Sequence, residues 1–312
     1  MYKLRDWIDR TALDPCALSE NPLAIPILER YPHMINWWGL SGNPAAMHLL
    51  EAHPDKIEWR RLSVNPAAVW LLIKHPEHII WSALSCNPHP EAIALLEKHP
   101  TNITWDNLSL NEHPDALRLL EKYPHKISWD LLSCNPAALH LLEANPDKIM
   151  WYWFSSNPGN SVSLLEKNLD KINWYWLCPN PKAISLIEQN PDKIDWKALS
   201  CNPAAIHLLE ANLDKIDWLG LSAIPEAIHL LEAHPDKIDW DCLSRNPAAM
   251  HLLEANPDKI NWYWISYNPA IFVLDYEVMK TARRDLHEDL MKKRFHPRNI
   301  KKFKGWGFGV ED

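Results

Sequence analysis

Residues 199–218 read LSCNPAAIHLLEANLDKIDW and residues 243–262 read LSRNPAAMHLLEANPDKINW. Agreement at so many positions at once is internal duplication, and it decides the fold class before any single residue is weighed. The tryptophan that closes the block recurs at Trp37, Trp59, Trp81, Trp105, Trp129, Trp151, Trp174, Trp196, Trp218, Trp240 and Trp262. The step is 22 residues, lengthening to 23 or 24 in three units, and Pro15 lies one step before Trp37. The extra residues fall at one place, around His89-Pro90, Glu112-His113 and Gly159-Asn160. Insertions confined to one loop are what stacked units tolerate, because a change elsewhere breaks the contact with both neighbours.

The unit also accounts for an unusual composition of 26 Pro and 18 Trp against 7 Gly. In Asn246-Pro247-Ala248-Ala249 the asparagine caps a helix whose first position is a proline, where the missing N–H costs nothing. That helix runs to about Ala255 and stops at Asn256-Pro257, since a residue before proline is pushed out of the α region. A turn through Asp258, Lys259 and Ile260 leads to a shorter helical piece, Trp262 to Ser266. Capping residues stand before most ladder tryptophans: Asn36, Thr104, Ser128, Asn173, Asp195, Asp217, Asp239 and Asn261. Ala249, Met250, Leu252, Leu253, Ile260, Trp262 and Ile265 are more apolar surface than one unit can bury, so the units must stack.

The expectation is an all-α solenoid of about twelve two-helix units, each with one longer α-helix and one short or 3-10 helix. At helix spacings of about 8 to 10 Å it would form a rod or superhelix on the order of 100 Å long, with the indole column inside. Residues 1–14 read as an N-terminal cap, with a helix through Leu4, Trp7 and Ile8. The repeats occupy 15–268, and 269–294 read as an amphipathic helix closing the last rung through Ile271, Phe272, Leu274, Val278, Met279, Leu286, Leu290 and Met291. Residues 295–312 form a basic and aromatic tail.

The unit, together with Phe295-His296-Pro297-Arg298-Asn299-Ile300 and Gly307-Phe308, resembles the large paralogous repeat proteins of giant DNA viruses of amoebae and algae. The likeness covers nearly the whole chain and implies expression in infected cells, placing the protein in host cytoplasm or virion. A more limited likeness is to leucine-rich variant repeats, most visible in Asn87-Pro88-His89-Pro90-Glu91-Ala92. It implies one α-helix and one 3-10 helix per unit. The cysteine cluster sometimes associated with those repeats is missing, so no metal carries over.

Chemistry is sparse. His48, His140, His207, His229 and His251 share one position, each three residues before a glutamate on the same helical face, which is two ligands of a metal site at most. A solvated ladder produced by duplication is the simpler reading, and no metal or cofactor is expected. Glu51, Glu143, Glu210, Glu232 and Glu254 form an acidic row and Lys56, Lys148, Lys193, Lys215, Lys237 and Lys259 a basic one, read as mutually compensating ladders. No Gly-rich phosphate loop, nucleophile triad or Cys-x-x-Cys is present, so an enzyme is not expected. Cys86, Cys134 and Cys201 are too many units apart to pair and read as reduced thiols. No apolar run reaches the roughly 18 residues of a membrane span, and Met1 to Trp7 lack a secretory core, so an intracellular location is expected.

Positions that vary between units are where a partner is read. After each ladder tryptophan come Trp38, Arg60, Ser82, Asp106, Asp130, Tyr152, Tyr175, Lys197, Leu219, Asp241 and Tyr263, and two residues after it Trp153, Trp176 and Trp264. Tyr152, Trp153, Tyr175 and Trp176, with Tyr263 and Trp264, are the candidate protein-binding surface, because aromatics dominate interface energetics; the second tryptophan as gap filler beside the irregular unit at 151–173 is the structural alternative. The partner would be a host or viral protein. Nucleic acid is the alternative partner, held by Lys292, Lys293, Arg294, Arg298, Lys301, Lys302 and Lys304 among Phe295, Phe303, Trp306 and Phe308. A net charge of −8 opposes a general nucleic-acid role. Self-assembly into oligomers or a virion component is a third reading.

Overall fold

The structure is a computed structural model, and it describes residues 2–293. Local structure follows the repeat. Asn246 sits in extended backbone (φ −76°, ψ 114°) and its side chain accepts the Ala248 N–H, starting a 3-10 turn, Pro247–Ala249, that runs into the α-helix Met250–Ala255. Asn256 ends it ahead of a second 3-10 turn, Pro257–Lys259. Asn261 then caps the helix Trp262–Tyr267 by accepting the Trp264 N–H. Both helices of a unit are therefore short α-helices, and the 3-10 geometry lies in the proline turns that introduce one and separate the two. In the two units lengthened by two residues the second helix is continuous, Pro90–Lys98 and Pro114–Lys122, and His89 and His113 take over the capping role through Nδ1; in the unit lengthened by one residue it is the short helix Val162–Glu166, without a side-chain cap. Of the residues before the ladder tryptophan, Asn36, Asn173, Asp195, Asp239 and Asn261 cap with their side chains, whereas Thr104, Ser128 and Asp217 do not.

Twelve tryptophan-position helices, from Pro15–Glu20 to Trp262–Tyr267, follow one another in series with most consecutive pairs packed together, while the second helices, except Pro90–Lys98 and Pro114–Lys122, stand further apart. The closer row is the inner side of a curve. Small residues permit the approach: a Cβ on Gly39 would lie 2.7 Å from the Cys16 carbonyl oxygen of the preceding unit. Between the rows run fully buried columns, one through Leu40, Leu62, Leu84, Leu108 and Leu132 and another through Leu50, Leu72, Leu96, Leu120 and Leu142. The ladder tryptophans were expected inside, but they are half-buried. One face lies on the core, and the other meets the residue before the proline, as in Trp37–His53 and Trp105–Tyr123, or a lysine, as in Lys215 over Trp196.

Neighbouring units are joined by buried hydrogen bonds. The Ser133 hydroxyl donates to its own Trp129 carbonyl (2.7 Å) and accepts the Met150 N–H of the next unit (3.0 Å). Asn157 Oδ1 caps its own turn at Gly159, while Nδ2 donates to the Ser133 and Asn135 carbonyls of the preceding unit. The pattern repeats along the chain, from Ser19 with Asn36 and Asn43 to Ser244 with Asn261 and Asn268.

The open rod is where expectation and structure part. The helix Pro15–Glu20 packs against Trp37–Gly42 on one side and against Trp262–Tyr267 on the other. The serine rung crosses that seam as well, with the Asp14 N–H donating to Ser266 Oγ at 2.9 Å. The solenoid is a closed ring. The ends are not helical caps: Tyr2–Leu4 and Phe272–Leu274 form an antiparallel ribbon, Lys3 opposite Val273. It is extended by the Arg5 N–H donating to the Ile271 carbonyl (2.8 Å) and by Arg5 Nε donating to that of Ala270 (2.7 Å). The ribbon follows the 3-10 turn of the twelfth unit, where the other units place their second helix. Ile271 and Phe272 are buried as expected, but Val278 and Met279, on the helix Tyr276–Lys293, are exposed and do not close a rung.

Two outcomes check this architecture. Asn157→Ala removes two inter-unit hydrogen bonds and one cap, and urea denaturation should show a loss of about 1 to 3 kcal/mol, the cost of stranding buried polar groups. Cysteines introduced together as K3C and V273C should form an intramolecular disulfide under mild oxidation, read as a mobility shift reversed by reductant; an open rod keeps these positions far apart and gives none.

Candidate functional site: the inner wall of the ring

Helix periodicity fixes which side chains line the ring. The residues three and four after the ladder position, such as Leu132 and Ser133, are fully buried. At about 100° per residue, positions one and five therefore point away from the core, toward the ring axis, whereas position two lies beside the preceding inner helix, where Gly39, Ala83, Ala198 and Gly220 are buried and only large side chains such as Trp153 and Trp176 extend to solvent. With twelve inner helices spaced about 8 to 10 Å apart and each about 10 Å across, the opening is on the order of 20 Å wide. An extended peptide or a single helix fits such a space.

The expected aromatic surface lies on this wall. Tyr152 and Trp153 from one unit meet Tyr175 and Trp176 from the next, with ring centroids 4.9 Å apart for Tyr152–Trp153, 5.7 Å for Tyr152–Trp176 and 5.3 Å for Tyr175–Trp176, all edge-on. Tyr152 is 47% exposed and Trp153 41%, so these rings are presented to solvent. Tyr263 and Trp264 are not part of that patch. They belong to a second cluster at the seam, nearly opposite across the ring, with Tyr267 beside them. The Tyr267 phenol is pushed up from its ordinary pKa by its hydrogen bond with Tyr263, by burial and by the nearby Glu20 carboxylate from the first unit.

Sequence reading missed the rest of the seam cluster. The Arg61 guanidinium stacks 4.1 Å from the Trp38 ring centroid and reaches past Gly42 to the Glu20 carboxylate, and Arg245 stacks 4.5 Å from Trp264. The available signal was the four-residue spacing of Tyr263 and Tyr267, which puts both on one helical face.

The outer face carries ladders. His48, His207, His229 and His251 each place Nε2 2.7 Å from a glutamate oxygen of the preceding unit: Glu29, Glu188, Glu210 and Glu232. The partner is thus across the unit boundary and not on the histidine's own helix. Among the described residues no group of three or more potential metal ligands converges. The expected compensation between the glutamate and DKI-lysine rows is not what forms. Lys56, Lys148, Lys193 and Lys237 pair with the aspartate beside them, and Lys215 and Lys259 lie over tryptophans. The glutamates meet histidines, Lys74 and Lys122 instead.

All cysteines are free, and burial pushes each thiol up from its usual pKa. Cys242 is raised to about 11, first by burial and then by its hydrogen bond to Asp239. Of the basic segment, Lys292 is exposed and pairs with Glu288 (3.4 Å), and Lys293 ends the last helix. Arg294, Arg298, Lys301, Lys302 and Lys304 lie outside the described residues. Among the described residues no helix is long and apolar enough to cross a membrane.

Fold and wall together define an all-α repeat solenoid closed on itself. Protein-family models, curated proteins and solved structures give no match to this chain.

The raised thiol is directly measurable. Below pH 8 Cys242 should alkylate at least about tenfold more slowly than free cysteine, because its smaller thiolate fraction outweighs the greater nucleophilicity of a more basic thiolate, and its rate should climb as pH approaches 11. Peptide mass spectrometry after timed iodoacetamide exposure reads this out.

Proposed function

We propose that the protein is a non-enzymatic binding ring, a scaffold that holds a segment of another protein, host or viral, against its inner wall. One observation carries the reading: four large aromatic side chains from two adjacent units, Tyr152, Trp153, Tyr175 and Trp176, stand exposed and in mutual contact on the wall facing the opening. Leaving such rings in water forfeits their burial energy, and clustered tyrosine and tryptophan are the side chains from which protein interfaces draw most of their affinity. The buried rungs make the support rigid, so little ordering cost falls on association. Replacement of all four by alanine touches neither the serine and asparagine rungs nor the leucine columns.

The corresponding experiment is affinity capture with the native chain and the four-alanine variant. The variant should keep its circular dichroism spectrum and its melting temperature within a few degrees. It should lose the captured protein, because removal of one central aromatic anchor typically costs about 2 kcal/mol or more. Retention of the same partner by a folded variant rejects this wall as the binding surface.

A further inference from the structure

We infer that the wall formed by Asp106, Asp130, Tyr152, Trp153, Tyr175 and Trp176 takes an arginine-bearing segment of a partner protein. This rests on the binding-ring reading and adds the chemistry of what is bound. The argument comes from the other side of the same ring. At the seam, Trp38 carries the Arg61 guanidinium on its face, and that guanidinium is held by the Glu20 carboxylate two units away. Trp264 likewise carries Arg245. The chain there supplies both an indole platform and the cation that covers it.

Nearly opposite, the same ingredients occur without the cation. Tyr152, Trp153, Tyr175 and Trp176 offer faces on which no described lysine or arginine stacks, although Lys197 is exposed on the following unit. The two preceding units expose Asp106 and Asp130 at the equivalent position, and neither carboxylate has an ion pair among the described residues. At the seam the guanidinium lies between the Trp38 platform and the Glu20 carboxylate of the unit adjacent to Trp38; Asp130 is likewise one unit from Tyr152, and Asp106 is one unit further. A guanidinium placed on Tyr152 or Trp153 would therefore have the Asp130 carboxylate across one unit boundary, as the Arg61 guanidinium on Trp38 has Glu20. Arginine fits better than lysine, because its planar fork stacks on an aromatic face and pairs with a carboxylate at the same time.

The test uses the full chain and a fluorescein-labelled Gly/Ser peptide carrying arginines, with the lysine counterpart as comparison. Anisotropy is measured at about 0.15 M salt, where long-range attraction to the acidic protein is largely screened. The arginine peptide should bind saturably and the lysine peptide at least about tenfold more weakly. Each of the variants D106N/D130N and W153A/W176A should lose tenfold or more. Equal binding of the two peptides, or binding unchanged in D106N/D130N, overturns the inference and leaves only general attraction to a chain of charge −8. The variant R294Q/R298Q identifies the competing occupant. If it binds the peptide at least about tenfold more tightly than the native chain, the wall is taken by the chain's own C-terminal segment, and a partner's arginine is not its occupant. Loss of a protein partner from the four-alanine variant without any arginine-peptide binding removes this inference alone, whereas peptide binding with partners unaffected removes the binding-ring reading.

Discussion

The ring depends on a hydroxyl that is used twice. A serine stands four residues after every ladder tryptophan except Trp174, where Cys178 takes its place; these serines are fully buried, and a buried hydroxyl without partners is a net cost. Here it donates to its own helix and accepts the first free N–H of the next unit, as Ser133 does between Trp129 and Met150. The asparagine two residues on adds Nδ2 bonds to the carbonyls of the preceding unit, as Asn157 does to Ser133 and Asn135. Apolar columns provide the bulk of the burial, but leucine against leucine tolerates sliding. Directional bonds from the same two side chains fix the offset between units and hence the angle at which they accumulate. Where Ile224 replaces the asparagine its turn has no side-chain cap, yet Ser222 still accepts the Asp239 N–H and the register passes through.

Closure follows from that angle. The inner helices approach closely, most tightly where the second position is small (Gly39, Ala83, Ala198, Gly220), while most outer helices stay apart, and the curvature accumulates with one sign until the ends meet. An open solenoid needs polar caps because its terminal faces have lost a neighbour. In this chain the two faces serve each other: Ser266 bonds to Asp14 as any serine bonds to the unit after it. The match is good but incomplete. Asn21 Nδ2, which would be the asparagine bond across the seam, is buried without a partner among the described residues, as is Trp7 Nε1. The ribbon of Tyr2–Leu4 with Phe272–Leu274 compensates by adding backbone hydrogen bonds there.

The candidate wall was partly legible from residues alone. Tyr152, Trp153, Tyr175 and Trp176 stood out because they depart from the repeat at adjacent units, and units adjacent in sequence are adjacent in space in any solenoid. Tyr263 and Trp264 depart in the same way, but their separation from the first group needed the closed geometry. The stacking of Arg61 on Trp38 links residues of different units whose side-chain directions are set by packing. Likewise the His–Glu pairs join a histidine to the unit before it, as in His251 with Glu232, whereas spacing alone suggested the glutamate on the same helix.

The sequence by itself determined the unit, its period, its proline stops, its asparagine caps and the insertions at one loop. These are consequences of backbone restriction and local hydrogen bonding, which act over a few residues and are written into every copy. What only the tertiary structure decided was that the ends meet, that a strand ribbon seals them and that two aromatic clusters face one another across an opening. A small rotation between units is invisible in any one of them, and only its sum over the whole array distinguishes a rod from a ring.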